Sequence, residues 1–305
     1  MKYFYFYNRH NKSDTLISAL IAHDWHLTSP KQAKVIFTDV DVSTMRNHLI
    51  GYHRKGQKIF MVPHGAIPYL FNDYPGFEPF PHIAVNFVIA SGHVGVMNIL
   101  HYPHPLEVIG WYLCPLKQFQ SKTSIKNILF APIHPQGNNE LSAENKQINI
   151  DTFQRLLKLR ACDPEIKITV RYLYGLEANG LHPVEGVEFV QGKPDQAYQQ
   201  IDEADIVVSR QTFAYLAIAR GVPTVMMGEH IAPSFWYRGK FEHVHTWESY
   251  RHLMQFPFDI LSEDDTMKLF QRVVASDFEI VDWKARMIGA AFDEAEFVRK
   301  VESYL

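Results

Sequence analysis

Four residues, Ser209-Arg210-Gln211-Thr212, stand between an apolar run (206–208) and an Ala/Leu-rich stretch (213–220) that Gly221-Val222-Pro223 stops. Read as strand, turn and helix, they put a helix N-terminus at the carboxyl edge of a parallel sheet, where ligands bind. The unpaired N–H groups and positive dipole end of such a helix suit a phosphate. Ser209 and Thr212 add hydroxyl donors and Arg210 a bidentate cationic fork, so with Gln211 they form a candidate diphosphate site. The competing reading is structural: Ser209 or Thr212 caps the helix, and Arg210 is a surface side chain.

Other polar residues fall at strand ends. His64, in Val62-Pro63-His64-Gly65-Ala66, follows the run 58–62. An imidazole titrates near neutrality and can take a hydroxyl proton, and Gly65 permits a tight turn or a close substrate approach. A hydrogen bond to a neighbouring loop is the alternative for His64. His134 follows the run 128–131 in a loop rich in Pro, Gly and Asn, either as a cleft residue or as a plain loop histidine. Arg171 and Tyr172 end the run 167–172 at the same edge as Ser209. There Arg171 is a candidate nucleotide contact, and Tyr172 either stacks on a base or fills the core. Glu229 closes the run 224–227 and either accepts ribose hydroxyls or is a solvated loop acid. Gly192-Lys193-Pro194 either touches the base or merely starts a helix. The Pro-interrupted runs 69–80 and 101–105 either line an acceptor pocket or pack as loops. His243 and His245, with His230 nearby, have metal-like spacing in outline, but no carboxylate or cysteine set completes it, so no metal is expected.

The elements that must position these residues alternate along the chain. Strands are expected at 3–7, 35–38, 58–62, 84–90 and 108–113, and again at 128–131, 167–172, 187–190, 205–208 and 224–227. Helices are expected at 13–22 (Ser13 as N-cap), 42–51, 149–160, 195–203, 212–220 and 262–275, followed by a helix-rich stretch, 278–305. Such alternation implies parallel sheets, because parallel neighbours need a crossover. The fold class is α/β with two Rossmann-like domains, 1–118 and 119–280, and a C-terminal helix, 281–305, that crosses back.

Composition agrees with that plan. The 305 residues are 47% hydrophobic, enough for two cores, and the net charge is −3, too balanced for a bulk nucleic-acid coat or a membrane-surface protein. Residues 1–120 carry 10 basic against 7 acidic residues and ten of the 16 histidines, whereas the remainder carries 20 against 26. A mildly basic first half could face an anionic acceptor, or the difference is drift. Two cysteines exclude a disulfide scaffold and a cysteine zinc module. The start lacks the pattern of a signal peptide, and no run reaches the ~20 apolar residues of a transmembrane segment. A cytoplasmic protein is expected.

The segment ADIVVSRQTFAYLAIARGVPTV resembles the nucleotide-diphosphate segment of GT-B-type glycosyltransferases. It is also similar to that of CDP-glycerol glycerophosphotransferases of teichoic-acid type and of UDP-N-acetylglucosamine 2-epimerases. The resemblance implies two Rossmann-like domains facing across a cleft, the second holding the nucleotide. It covers the first domain only at isolated motifs. His64-Gly65 resembles the strand-end His-Gly of the glycerophosphotransferases, which implies a base for the acceptor hydroxyl. Ala131-Pro132 followed by His134 is similar to the strand ends that carry Ala-Pro-Thr in those enzymes and His-Arg in the epimerases. That implies a proton donor or hydrogen-bond partner beneath the leaving diphosphate. The chain departs at Ser209–Thr212, where the teichoic-acid enzymes show an Asp-Tyr-Ser-Ser-like run. It also lacks a counterpart of the acidic residues that epimerases use for proton abstraction.

The implied activity is a metal-independent glycosyl or polyol-phosphate transfer. A nucleotide-sugar or CDP-polyol donor serves as substrate, with no cofactor. The acceptor is a hydroxyl of a glycan, a polyol phosphate or a modified nucleic acid. The alternatives are a non-catalytic two-domain ligand-binding protein of the same fold, a UDP-sugar 2-epimerase and a nucleic-acid sugar transferase.

Overall fold

The structure is a computed structural model that describes residues 1–7, 13–38, 43–63, 84–92, 94, 106–133, 139–173, 175–228, 256–275 and 277–305. These fall into two compact units. Unit 1 takes the described residues of Met1–Pro115 together with Ala285–Leu305, and unit 2 those of Leu116–Arg238 and Gln255–Lys284.

In unit 1, β1 (Lys2–Tyr7), α1 (Asp14–Ala22), β2 (Trp25–Leu27), β3 (Val35–Thr38), α2 (Ser43–His53), β4 (Lys58–Met61), β5 (Ala84–Val88) and β6 (Leu106–Val108) follow in turn. The strands form a parallel sheet in the order β2-β1-β3-β4-β5-β6. Unit 2 contains β7 (Asn127–Phe130), α3 (Asn139–Cys162), β8 (Lys167–Tyr172), β9 (Glu188–Gln191), α4 (Ala197–Glu203), β10 (Ile206–Val208), α5 (Gln211–Ala219), β11 (Thr224–Val225) and α6 (Thr266–Ala275). Its parallel sheet runs β11-β10-β7-β8-β9. Two helices close the chain: α7 (Asp277–Met287), along which it passes from unit 2 to unit 1, and α8 (Glu294–Ser303).

The unit 1 core is an aromatic ladder laid across adjacent strands. Phe6 pairs in register with Phe37, and Phe37 with Phe60. Parallel pairing therefore brings their rings to one face, where they stack at 5.8 and 5.2 Å; Phe60 stacks on Phe87 at 5.5 Å. Phe297 of α8 covers this row, 6.1 Å from Phe37 and 5.7 Å from Phe87. Polar bonds along one side of α8 fix its seat. Asp293 caps it by accepting from the Glu296 amide (2.9 Å), and Lys300 Nζ donates to the Val108 carbonyl (2.5 Å). Tyr304 donates to Glu107 (2.7 Å); burial and that carboxylate push its pKa up to about 12.

Four elements differ from the expected pattern. The helix expected at 262–275 is Thr266–Ala275, because Asp265 ends the preceding loop by accepting from the Lys268 amide (3.0 Å). The strand expected at 108–113 is Leu106–Val108, because beyond Ile109, which still donates to Val88 O (2.9 Å), the chain turns to the C-terminal segment: Trp111 N donates to Ala290 O and Phe292 N to Trp111 O. The short edge strand β2 carries too little alternation to be read, since only Trp25 is buried. Helix α3 starts at Asn139 rather than 149. Its first ten residues lack an apolar stripe but are rich in good helix formers. Truncating the ladder at its cover tests the arrangement. Phe297→Ala removes a fully buried ring, and chemical denaturation is expected to show a loss of about 3–5 kcal/mol.

Candidate functional site

The unit 2 sheet reverses its order between β7 and β10. From β7 the chain moves outward through β8 to β9, then returns to the other side of β7 for β10 and β11. Connections leave the carboxyl ends of β7 and β10 in opposite directions, the topology at which open α/β sheets bind ligands. The strands are in register there, Val208 opposite Phe130, and the ladder continues past the strand ends as Ala131 N donates to Val208 O (3.0 Å).

Ser209 closes this junction. It is buried, and its Oγ donates to the Ala131 carbonyl (3.0 Å) while its amide donates to Val225 O (3.1 Å). Its hydroxyl proton therefore ties β10 to β7 instead of capping the following helix. Arg210 occupies the N-cap of α5 in an extended conformation (φ −140°, ψ 163°), also buried, and its side chain makes no bond to the helix amides. The helix begins at Gln211; Thr212 is half-buried, and Ala214 to Ala219 fill the core beneath. Both structural expectations, a Ser or Thr cap and a surface arginine, are corrected by this arrangement. An apolar helix starts at the switch point, and among the described residues its first amides have no side-chain cap.

Arg171 is held as a brace. Its Nε donates to Gln200 Oε1 (2.8 Å), its Nη2 to the Lys193 carbonyl (2.9 Å), and its guanidinium lies 5.0 Å from the Phe213 ring centre. Burial lowers its pKa from the ordinary value. One side chain thereby joins the end of β8, the loop before α4, α4 itself and the first turn of α5. Gly192 makes room for it: a Cβ there would lie 2.6 Å from the guanidinium carbon. Tyr172 is half-exposed rather than a core residue.

Three residues that the sequence reading passed over fix the loops leading to candidate side chains. Asn149, fully buried in α3, accepts from Ile133 N (2.8 Å) and donates to Ile133 O (2.7 Å) and Asn179 O (3.1 Å). It grips the backbone one residue before His134. Asp259, also buried, accepts from the amides of Gly228 (3.0 Å) and Leu261 (2.9 Å), and so fixes the residue before Glu229. In unit 1, the Tyr112 hydroxyl donates to the carbonyl of Pro63, the residue before His64. His64, His134 and Glu229, with the histidines at 230, 243 and 245 and the runs 69–80 and 101–105, lie outside the described residues. The signal for Asn149 was masked because an asparagine at an expected helix start reads as a cap; with α3 starting at Asn139, it is an interior helix residue.

No protein-family model matches the chain, and no curated protein matches its sequence. Solved structures match over its whole length. A UDP-GlcNAc 2-epimerase from Methanocaldococcus jannaschii superposes with a TM-score of 0.59 at 11% identity, covering 99% of this chain and 100% of that one. The S. aureus MnaA–UDP complex gives 0.58 at 9% identity (100% and 97%). The glycosyltransferase SnogD from Streptomyces nogalater gives 0.52 at 11% identity (99% of each). The fold is of the GT-B type.

Within this GT-B fold, the helix carrying the uncapped amides is anchored at its far end. Gly221 ends α5 with φ +75°, where a Cβ would run into the Gln118 carbonyl, so no larger residue fits. Arg220 donates from Nε to Asp202 Oδ1 (2.6 Å) and from Nη2 to Oδ2, and Lys117 adds a third bond (2.8 Å). The Arg220 bonds lead in holding the Asp202 carboxyl down to about 2 from 3.8. A carboxylate with a depressed folded pKa contributes stability above its unfolded pKa and loses it as pH falls through the folded value. Asp202→Asn is therefore expected to cost about 1 kcal/mol at pH 7, allowing for solvent screening of the partly exposed pair. Denaturation series from pH 7 down to pH 2 should show that difference shrink below about pH 4.

Proposed function

We propose that the chain is a transferase that moves a glycosyl or polyol-phosphate group from a nucleotide-diphosphate donor to a hydroxyl acceptor without a divalent cation. The observation that carries this reading is the uncapped start of α5 at the β7/β10 switch point. Amides and a helix dipole fixed in advance stabilise negative charge as it develops, the largest single contribution in many such sites. Arg210, at the N-cap, supplies a permanent cation beside them. The MnaA complex named above holds UDP, and another neighbour, a UDP-GlcNAc 2-epimerase from Neisseria meningitidis, holds UDP-GlcNAc.

In the proposed reaction, His64 takes the acceptor proton as the hydroxyl oxygen bonds to the donor carbon or phosphorus. The bond to the departing phosphate oxygen breaks, its charge falling on the α5 amides and Arg210. His134 donates a hydrogen bond to that leaving group, and Glu229 accepts the ribose hydroxyls. Arg171 acts through Phe213 and the Lys193 carbonyl, positioning helix and loop.

A second reading is 2-epimerisation of a UDP-sugar, which the higher TM-scores of the two UDP-GlcNAc 2-epimerases, 0.59 and 0.55 against 0.52 for SnogD, favour. Incubation with UDP-GlcNAc and no acceptor separates the two: an epimerase yields an epimeric UDP-sugar, a transferase leaves the donor intact or slowly hydrolyses it.

Thermal-shift screening with UDP, CDP, GDP and ADP is the first test. One of them is expected to stabilise the chain by about 2.7 kcal/mol at a concentration of about 100 Kd. If none does, the reading as a nucleotide-dependent transferase fails, and a non-catalytic protein of the same fold takes its place. With the donor in hand, His64→Ala is expected to lower turnover by roughly 10²- to 10⁴-fold while leaving nucleotide affinity by calorimetry unchanged. Turnover in EDTA is expected to equal that without it.

A further inference from the structure

The amino edge of the unit 1 sheet carries a cluster that the proposed transfer does not use. A groove of about 600 Å³ opens there, and Lys2, Lys31, Lys34, Lys55 and Lys58 line it without any aspartate or glutamate side chain. Lys2 is already neutralised by its ion pair with Glu302. The other four have no ion-pair partner among the described residues. Lys55 has local reasons for its place, following the carboxyl end of α2 and lying 5.8 Å from the Tyr52 ring centre. Lys31, Lys34 and Lys58 have none.

Nor do these lysines protect an exposed sheet edge, the common use of lysine on strands. Lys34 and Lys58 sit at the starts of β3 and β4, interior strands in the order β2-β1-β3-β4-β5-β6. Their backbone is held in place: Lys34 N donates to Tyr3 O (3.0 Å) and Lys58 N to Lys34 O (3.0 Å). Gln57 binds the loop of Lys31 to that of Lys58, its Nε2 donating to the carbonyls of Pro30 (2.6 Å) and Ala33 (2.7 Å). Like charges fixed around a hollow repel one another, and an anion in the hollow relieves the repulsion.

We propose that this groove binds a compact ligand bearing several phosphate groups. Its volume is that of a small-molecule site rather than of a flat surface. Ammonium groups converging from the β2–β3 and α2–β4 connections meet phosphate oxygens from more than one direction as point charges, a geometry that suits clustered phosphates better than a planar carboxylate. The clustered phosphates come either from a free polyphosphorylated molecule or from the phosphorylated end of a larger one.

Titration calorimetry of the full chain with inorganic tripolyphosphate at low salt tests the site. Binding is expected, weakened by about ten-fold or more in the double variant Lys34→Gln with Lys58→Gln, whose melting temperature stays that of the parent. A unit 2 diphosphate site would also accept tripolyphosphate, so the titration is repeated with saturating UDP. The groove is expected to retain its affinity, and the double variant its parental response to UDP. This comparison reads the groove whether or not UDP binds at all. No binding of tripolyphosphate, or an affinity untouched by the double substitution, overturns the proposal. So does a single-stranded oligonucleotide that binds about ten-fold tighter than tripolyphosphate, which would make the groove part of a nucleic-acid surface.

Discussion

The hydrogen bond from the Ser209 hydroxyl to the Ala131 carbonyl joins the two strand ends at which the unit 2 sheet changes direction. A parallel sheet that reverses its order leaves its two central carboxyl ends without covering connections. Such a gap exposes backbone groups that must be paired or given to a ligand. Here the strand side of the gap is paired, by Ser209 and by the Ala131 amide on Val208. The helix side has no side-chain cap among the described residues. The division of labour between those two sides is what gives unit 2 a place for an anion.

Around that junction, buried polar side chains spend their hydrogen bonds on loop backbones. Asn149 grips Ile133 on both its amide and its carbonyl, Asp259 grips Gly228, and Arg171 ties the Lys193 carbonyl to the first turn of α5. Each is nearly or wholly buried, where an unpaired polar group is costly, so each bond both satisfies its owner and fixes a loop. Loops carry function when a rigid frame aims them. In unit 1 the Tyr112–Pro63 bond has the same character, set beside an aromatic ladder that packs the sheet against α8.

Much of this frame was legible in the sequence because parallel strands are buried on both faces and read as short apolar runs. Val35–Thr38 and Lys167–Tyr172 fall on their expected limits, and the strand-turn-helix order around Ser209–Thr212 is as read. What the sequence hid has three causes. Edge strand β2 buries one residue and so has no pattern to read. Strand β6 ends early because Trp111 bonds to a segment about 180 positions away, and local propensity carries no trace of that partner. Polar side chains buried by tertiary packing, such as Arg171, Arg210 and Asn149, look like surface residues or caps until the fold encloses them. The same enclosure turned Ser209 inward, which type and spacing alone left open.

The structure of the chain crystallised with UDP tests the central claim most directly. The account predicts phosphate oxygens within about 3 Å of the amide nitrogens of Gln211 and Thr212, at the head of α5. UDP bound with its phosphates directed elsewhere, leaving those amides to solvent, would contradict it.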